Sequence, residues 1–197
     1  MSDLPALVFT PGAWHRPTCY TKVMKALREQ HNIRCRSFPL PSTSSDPNAT
    51  FRDDLDAARA AISSETGQGC DVVLIAHSYG GMVANSAIRD FAFPQPGQGR
   101  IIGLVLIASG FTLTGLSFMD PLFHIPPPTW RVNRATGFAD SITPPAQLFH
   151  HDLPADEAKK WVAQLTPQSL KALFEGGEHS YAGWLDVPSR WGNLLLG

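Results

Sequence analysis

Charge is what this chain has least of. Asp, Glu, Lys and Arg make up 17% of its 197 residues, and sixteen basic against seventeen acidic side chains leave a formal net charge of −1. No basic stripe runs along it, so neither nucleic acid nor an anionic membrane is an expected partner. Cysteine is scarce too. Cys19, Cys35 and Cys70 are widely spaced, odd in number and without metal-ligand spacing. That pattern predicts reduced thiols of a cytoplasmic protein, with no disulfide framework, no metal site and no cofactor. The opening MSDLPALVFT lacks a basic segment followed by a long apolar run, so no secretory signal is read there. No apolar run approaches the roughly 20 residues that cross a bilayer. There is no internal repeat.

What is present is a core. With 43% hydrophobic residues, the chain is long enough for one ordinary globular domain. Leu4 to Thr10 reads as a buried strand ending at Pro11-Gly12. Thr18 is a plausible N-cap for a helix carrying Tyr20, Val23, Met24 and Leu27 at helical spacing and stopping near His31-Asn32. Ile33 to Phe38 alternates and predicts a peripheral strand, and Pro39 to Asn48 a loop. Phe51, Leu55, Ala58 and Ile62 mark one face of a second helix, closed by Gly67 and Gly69. Val72 to Ala76 reads as a strand buried on both faces, followed by the turn His77-Ser78-Tyr79 and a helix from Met82 to Arg89. Ile101 to Ala108 reads as a further buried strand. This alternation predicts an α/β fold with a mostly parallel sheet flanked by helices. Its site belongs at the C-terminal ends of the strands, where the Gly12-Ala13 loop, Ser78 and the Ser109-Gly110 loop fall together.

After Phe111 the rhythm stops. Residues 112–185 read as a helical lid, with helices from Pro154 to Leu165 and from Pro167 to Phe174, each opened by proline in its first turn. Phe118, Phe123, Trp130 and Phe149 either wall an apolar pocket or form the lid's own small core. The expected division is a core over 1–111, the lid, and a short tail over 186–197, in one structural domain.

A serine on a sharp turn between a buried strand and a helix is how a nucleophile elbow is built, and the residues two before and two after it must be small. Here they are Ala76 and Gly80. The stretches VFTPGAWH, DVVLIAHSYGGMVA, LVLIASG and DLPADEAKKWVAQLTPQSL resemble the α/β-hydrolase superfamily, and within it the lid-bearing methylesterase and hydroxynitrile-lyase type. The resemblance implies Ser78 as nucleophile, with the amides of Ala13 and Tyr79 as oxyanion donors. It departs from the family in having Pro11-Gly12 where many members have His-Gly. It departs further at the end: only about a dozen residues follow the lid, so the fold's last two strands read as absent and the triad's acid and histidine are not found. His15 and His77 stand either as groups that support the serine's turn from behind or as substitute bases. A His150–His151–Asp152 group and a His179–Asp186 pair are weaker candidates.

Two classes of function follow. One is a serine hydrolase of small, fairly apolar esters, thioesters or lactones, a tailoring enzyme of specialised metabolism. The other is a catalytically weakened binding or accessory protein, or a truncated product whose exposed sheet edge a second copy or a partner covers. Either takes a small molecule as its ligand.

Overall fold

The computed structural model describes residues 4–93 and 95–192. In chain order it contains β1 (Ala6–Thr10), α1 (Thr21–His31), β2 (Cys35–Ser37), α2 (Phe51–Thr66), β3 (Val72–His77), α3 (Gly80–Ile88), β4 (Ile101–Ile107), β5 (Trp130–Asn133), β6 (Phe138–Ser141), α4 (Pro145–Phe149), α5 (Ala155–Val162), α6 (Leu170–Phe174) and β7 (Ser189–Gly192). Five strands form one sheet in the order β2-β1-β3-β4-β7, and every pairing in it is parallel. The α/β architecture expected from the alternation is the one found.

The central strands form where the sequence is most apolar. Val72, Leu74 and Ala76 of β3, with Ala6 and Val8 of β1, are fully buried. α2 begins at a capping box: the Thr50 hydroxyl accepts from the Asp53 amide at 3.2 Å, and the Asp53 carboxylate accepts from the Thr50 amide at 2.8 Å. Its buried face carries Phe51, Leu55, Ala58 and Ile62, as the spacing predicts. α1 ends at Asn32 in the left-handed conformation, φ 51°. Thr18 does not cap it. Pro17 starts a 3₁₀ turn over Pro17–Tyr20, α1 opens only at Thr21, and the Thr18 hydroxyl donates to Gln164 Oε1 at 3.0 Å instead.

The segment from β4 to β7 holds a feature the periodicity does not reveal. β5 and β6 pair as an antiparallel hairpin, turned at Gly137 with φ 77°. α6 is shorter than predicted because Ser169 is held extended. Its amide donates to the Ser42 carbonyl at 2.9 Å, its hydroxyl donates to the Ala49 carbonyl at 2.7 Å, and it bridges Phe138. The segment has no separate interior: Met119, Trp130 and Leu173 are buried in the same cluster as the sheet residues. The chain then returns through Pro188, whose carbonyl accepts from the Leu104 amide at 3.0 Å, and β7 becomes the fifth strand and, among the described residues, an edge of the sheet. The last five residues of the predicted tail lie outside the described residues. No helix among those described is long and apolar enough to cross a membrane.

Candidate active site

Ser78 follows directly on β3 with φ 52°, a conformation that costs a non-glycine residue on the order of 1 kcal/mol or more and persists only where its surroundings impose it. Three hydrogen bonds impose it here. The Ser78 amide donates to the Ile107 carbonyl at 3.1 Å, and the Ser78 carbonyl accepts from the Gly81 amide and from Ser109 Oγ, each at 2.9 Å. Close backbone approach does the rest. A Cβ on Gly80 would stand 2.2 Å from the Pro11 carbonyl oxygen, and one on Gly81 would stand 2.0 Å from Ser109 Oγ. The β1 loop therefore presses on the start of α3, and the loop after β4 presses on its first turn.

Gly12 brings the first loop to the serine. A Cβ there would lie 3.2 Å from Ser78 Cβ and 2.7 Å from His77 Nδ1. Ala13 is 5% exposed and Tyr79 wholly buried. Neither of their amides donates a hydrogen bond to any acceptor among the described residues. Gly12 lies against Ser78, so Ala13 after Gly12 and Tyr79 after the serine both stand at this turn. The structure thus brings together Ser78, Ala13 and Tyr79.

Ser78 opens on a cavity of about 320 Å³, walled mainly by Met82, Phe111, Leu113, Leu116, Phe118 and Leu122. Of the four aromatic residues singled out in the sequence, Phe118 alone is on this wall. Phe123 is 85% exposed. Trp130 packs in the core between Trp14 and Phe174, and Phe149 stands edge-on to His15. Phe111, at the end of the predicted core, was not among the four and lines the cavity.

The histidines go elsewhere. His15, His77 and His150 line a second cavity of about 360 Å³, together with Phe149 and Asp152, and Ser78 is not on its wall. The His15 ring lies 6.0 Å from that of His77 and 6.3 Å from that of His150. Burial holds His15 below the ordinary imidazole range, its bond to Ala13 opposing the shift and the nearby His150 adding to it. Its Nδ1–H donates to the Ala13 carbonyl at 2.7 Å, which fixes the tautomer. Burial pushes His77 down to about 4, with His15 adding to the shift. Burial also lowers His150. In all three rings burial disfavours the charged form. His179 pairs with Glu178 at 3.3 Å, while Asp186 accepts from the Tyr181 hydroxyl at 2.8 Å, so the two do not form an acid–base pair. Among the described residues no imidazole lines the Ser78 cavity, and no group of three His, Cys, Asp or Glu is placed to hold a metal ion.

One residue beneath the site escaped the reading of the sequence. Asp54 is fully buried on the core face of α2 and accepts the Tyr79 hydroxyl at 2.7 Å. The available signal was a carboxylate between Phe51 and Leu55 on an apolar helical stripe.

A family model described as "Alpha/beta hydrolase family" matches residues 7–197. The chain is 28% identical over 197 residues to Alpha/beta hydrolase nvfD of Aspergillus novofumigatus (strain IBT 16806), covering 95% of this chain and 76% of that protein. Among solved structures it is similar to an extracellular alpha/beta-hydrolase from a Paenibacillus species, with TM-score 0.72, 18% identity, and 97% of this chain and 78% of that one covered. It is similar also to polyneuridine aldehyde esterase, with TM-score 0.70, 16% identity, and 96% and 79% covered.

Proposed function

This chain belongs to the alpha/beta hydrolase family, and from that premise we propose that it hydrolyses small, largely apolar esters, thioesters or lactones with Ser78 as nucleophile. The observation that carries the proposal is Ser78 in the left-handed conformation at the end of an apolar cavity, with Gly12 against it and the amides of Ala13 and Tyr79 finding no acceptor among the described residues. In this reading Ser78 Oγ attacks the acyl carbon and the carbonyl electron pair moves onto oxygen. That oxygen takes hydrogen bonds from the Ala13 and Tyr79 amides, each such donor being worth roughly 3–4 kcal/mol in comparable sites. The tetrahedral species then collapses: the acyl–oxygen or acyl–sulfur bond breaks and the leaving group takes up the proton that Ser78 Oγ released, forming the alcohol or thiol. Water then cleaves the acyl-serine, its hydroxyl going to the acid and its hydrogen back to Ser78 Oγ. The apolar wall suits a hydrocarbon acyl or alkyl group better than a charged one, and the esterase among the structural neighbours supports an ester as the bond cleaved. Residues 112–185, which supply Leu113, Leu116, Phe118 and Leu122 to that wall, act as its lid. A tailoring role in specialised metabolism and a cytoplasmic setting belong to the same proposal, the latter in keeping with three free thiols.

One observation favours a second reading, a binding or accessory protein. A serine hydroxyl needs a base to become a good nucleophile, and the imidazoles of His15, His77 and His150 face a different cavity. Labelling by a fluorophosphonate probe decides between the two. The hydrolase reading expects one label on the folded chain, lost in Ser78→Ala. A folded chain that binds a small ester in calorimetry, takes no label and turns over no ester leaves the accessory reading standing.

A further inference from the structure

Asp54 is a carboxylate in the wrong place for stability. It lies on the core face of α2, three residues after Phe51 and one before Leu55, and is fully buried. A buried ionised carboxylate is costly unless hydrogen bonds compensate it. Two do. The Ser42 amide donates to Oδ1 at 2.8 Å and the Tyr79 hydroxyl to Oδ2 at 2.7 Å. The helix does not need Asp54 for its start, since the capping box is made by Thr50 and Asp53. Tyr79 does not need its hydroxyl for packing either. Its ring is wholly buried and meets Phe118 edge-on at 5.4 Å, a contact phenylalanine would keep. The Ser42 hydroxyl is buried beside this pair without a hydrogen-bond partner among the described residues, so the Tyr79 hydroxyl is the side-chain donor that Asp54 has.

Tyr79 is also the residue whose main chain follows Ser78. Its amide stands beside the serine, its ring backs Phe118 on the cavity wall, and its hydroxyl is tied to α2. We infer that Asp54 and Tyr79 form a positioning pair: the carboxylate of Asp54, by gripping the Tyr79 hydroxyl from below, fixes the peptide that presents the Tyr79 amide at Ser78, so the setting of that amide follows the charge on Asp54. The inference rests on the reading of Ser78 as the nucleophile only for its catalytic consequence.

The electrostatics supports a titrating grip. Burial raises Asp54 to about 6, the bonds from Ser42 and Tyr79 opposing the shift and the neighbouring Asp53 charge adding to it. From the turn at Pro41–Thr43 it meets the Ser42 amide, from the start of α3 the Tyr79 phenol, and on its own helix Asp53. Among the described residues no ion pair reaches it. Burial and the Asp54 charge push the Tyr79 phenol well above its ordinary range, so it stays a donor throughout. Protonating Asp54 turns a charge-assisted bond into a neutral one about half as strong.

The test is a pH titration of the full chain, labelled with ¹⁵N and with ¹³C in its aspartate carboxyls. The pair requires the amide resonance of residue 79 to shift with the same midpoint as the Asp54 carboxyl carbon, and to lose that shift in Asp54→Asn. In Tyr79→Phe, which keeps ring and backbone, the coupling must vanish while the Asp54 midpoint rises, because one bond to the charged form is gone. An amide that ignores the Asp54 titration, or one that still follows it in Tyr79→Phe, overturns the inference. A second readout is the rate of fluorophosphonate labelling, expected to fall roughly tenfold in Tyr79→Phe at pH 8, a tenth of the cost of misplacing a catalytic group by about 1 Å. If wild type takes no label but the amide coupling is present, the hydrolase proposal fails and the positioning pair stands. If labelling occurs without the coupling, the reverse holds.

Discussion

At the scale of single residues the glycines around Ser78 separate stability from function. A methyl group on Gly80 would meet the Pro11 and Thr10 carbonyl oxygens at 2.2 and 2.7 Å. Both are backbone atoms anchored in β1 and its loop, so nothing yields cheaply. Gly80→Ala is expected to cost about 3 kcal/mol, the upper part of the overpacking range, and to lower the melting temperature by roughly 6–12 °C. Gly12→Ala meets a different neighbour. Its methyl would stand 2.7 Å from His77 Nδ1, a side-chain atom, and 3.2 Å from both the His77 carbonyl oxygen and Ser78 Cβ. Its melting temperature should fall by less than that of Gly80→Ala, while fluorophosphonate labelling slows about tenfold or more because the Ala13 amide is displaced from the serine. Equal losses of stability with unchanged labelling would show that the loop does not set the amide's position. Local chemistry is why Ser78 and Gly12 were legible in sequence: a strand, a turn and a glycine are read from consecutive residues. Asp54 and Tyr79 are 25 positions apart, and nothing local links a carboxylate on one helix to a phenol at the start of another.

Elements differ in how plainly they announce themselves. β3, β4 and α2 were legible because burial on one or both sides writes a long apolar run or a clean helical stripe. The β5–β6 hairpin was not, since each strand has four residues, too few to show alternation, and its partners lie outside it. The Ala139 carbonyl accepts from the Trp14 indole at 3.0 Å, and the Ala139 amide donates to the Gln168 carbonyl at 2.9 Å. α6 was predicted too long for the same kind of reason, its first turn being drawn off by long-range bonds from Ser169. His15 and His77, read from the sequence as supporting groups or substitute bases, lie near the turn but line a cavity that Ser78 does not, because successive side chains at a sharp turn diverge. Capping gives a measurable contrast. Thr50→Ala removes the box on α2 and should lower stability by about 1 kcal/mol, read as a shift in the urea midpoint. Thr18→Ala removes only a hydroxyl bonded at the surface to Gln164, and should stay within about 0.5 kcal/mol of wild type. A larger loss at Thr18 than at Thr50 would contradict the caps drawn here.

Over the whole molecule, two sets of buried titratable groups work against each other in acid. His77 falls from an ordinary 6.5 to about 4 on folding, and His15 and His150 are lowered with it. A histidine lowered in the folded state binds its proton more readily when unfolded. Its contribution is whole above pH 6.5 and is lost as pH falls through the folded value. For His77 the loss runs from about 6.5 down to about 4 and amounts to about 3 kcal/mol at one pH unit per 1.36 kcal/mol. Asp54 runs the other way. Raised from 3.8 to about 6, it is relieved of its buried charge as pH falls through 6, and folding gains about 3 kcal/mol by the time pH reaches 3.8. Between roughly pH 6 and 4 the gain from Asp54 offsets the loss from His77. The remaining loss comes from His15, His150 and, toward pH 4, carboxylates such as Glu65, whose burial is outweighed by bonds to Arg36 and Arg34 that hold it below the ordinary range. Asp54→Asn removes the compensation. The difference in unfolding free energy between pH 7.5 and pH 4.5 should then grow by about 2 kcal/mol relative to wild type in urea titrations at the two pH values. His77→Asn should shrink that difference by a similar amount. If Asp54→Asn and wild type lose stability in parallel on acidification, Asp54 does not titrate in this range and the offset does not exist.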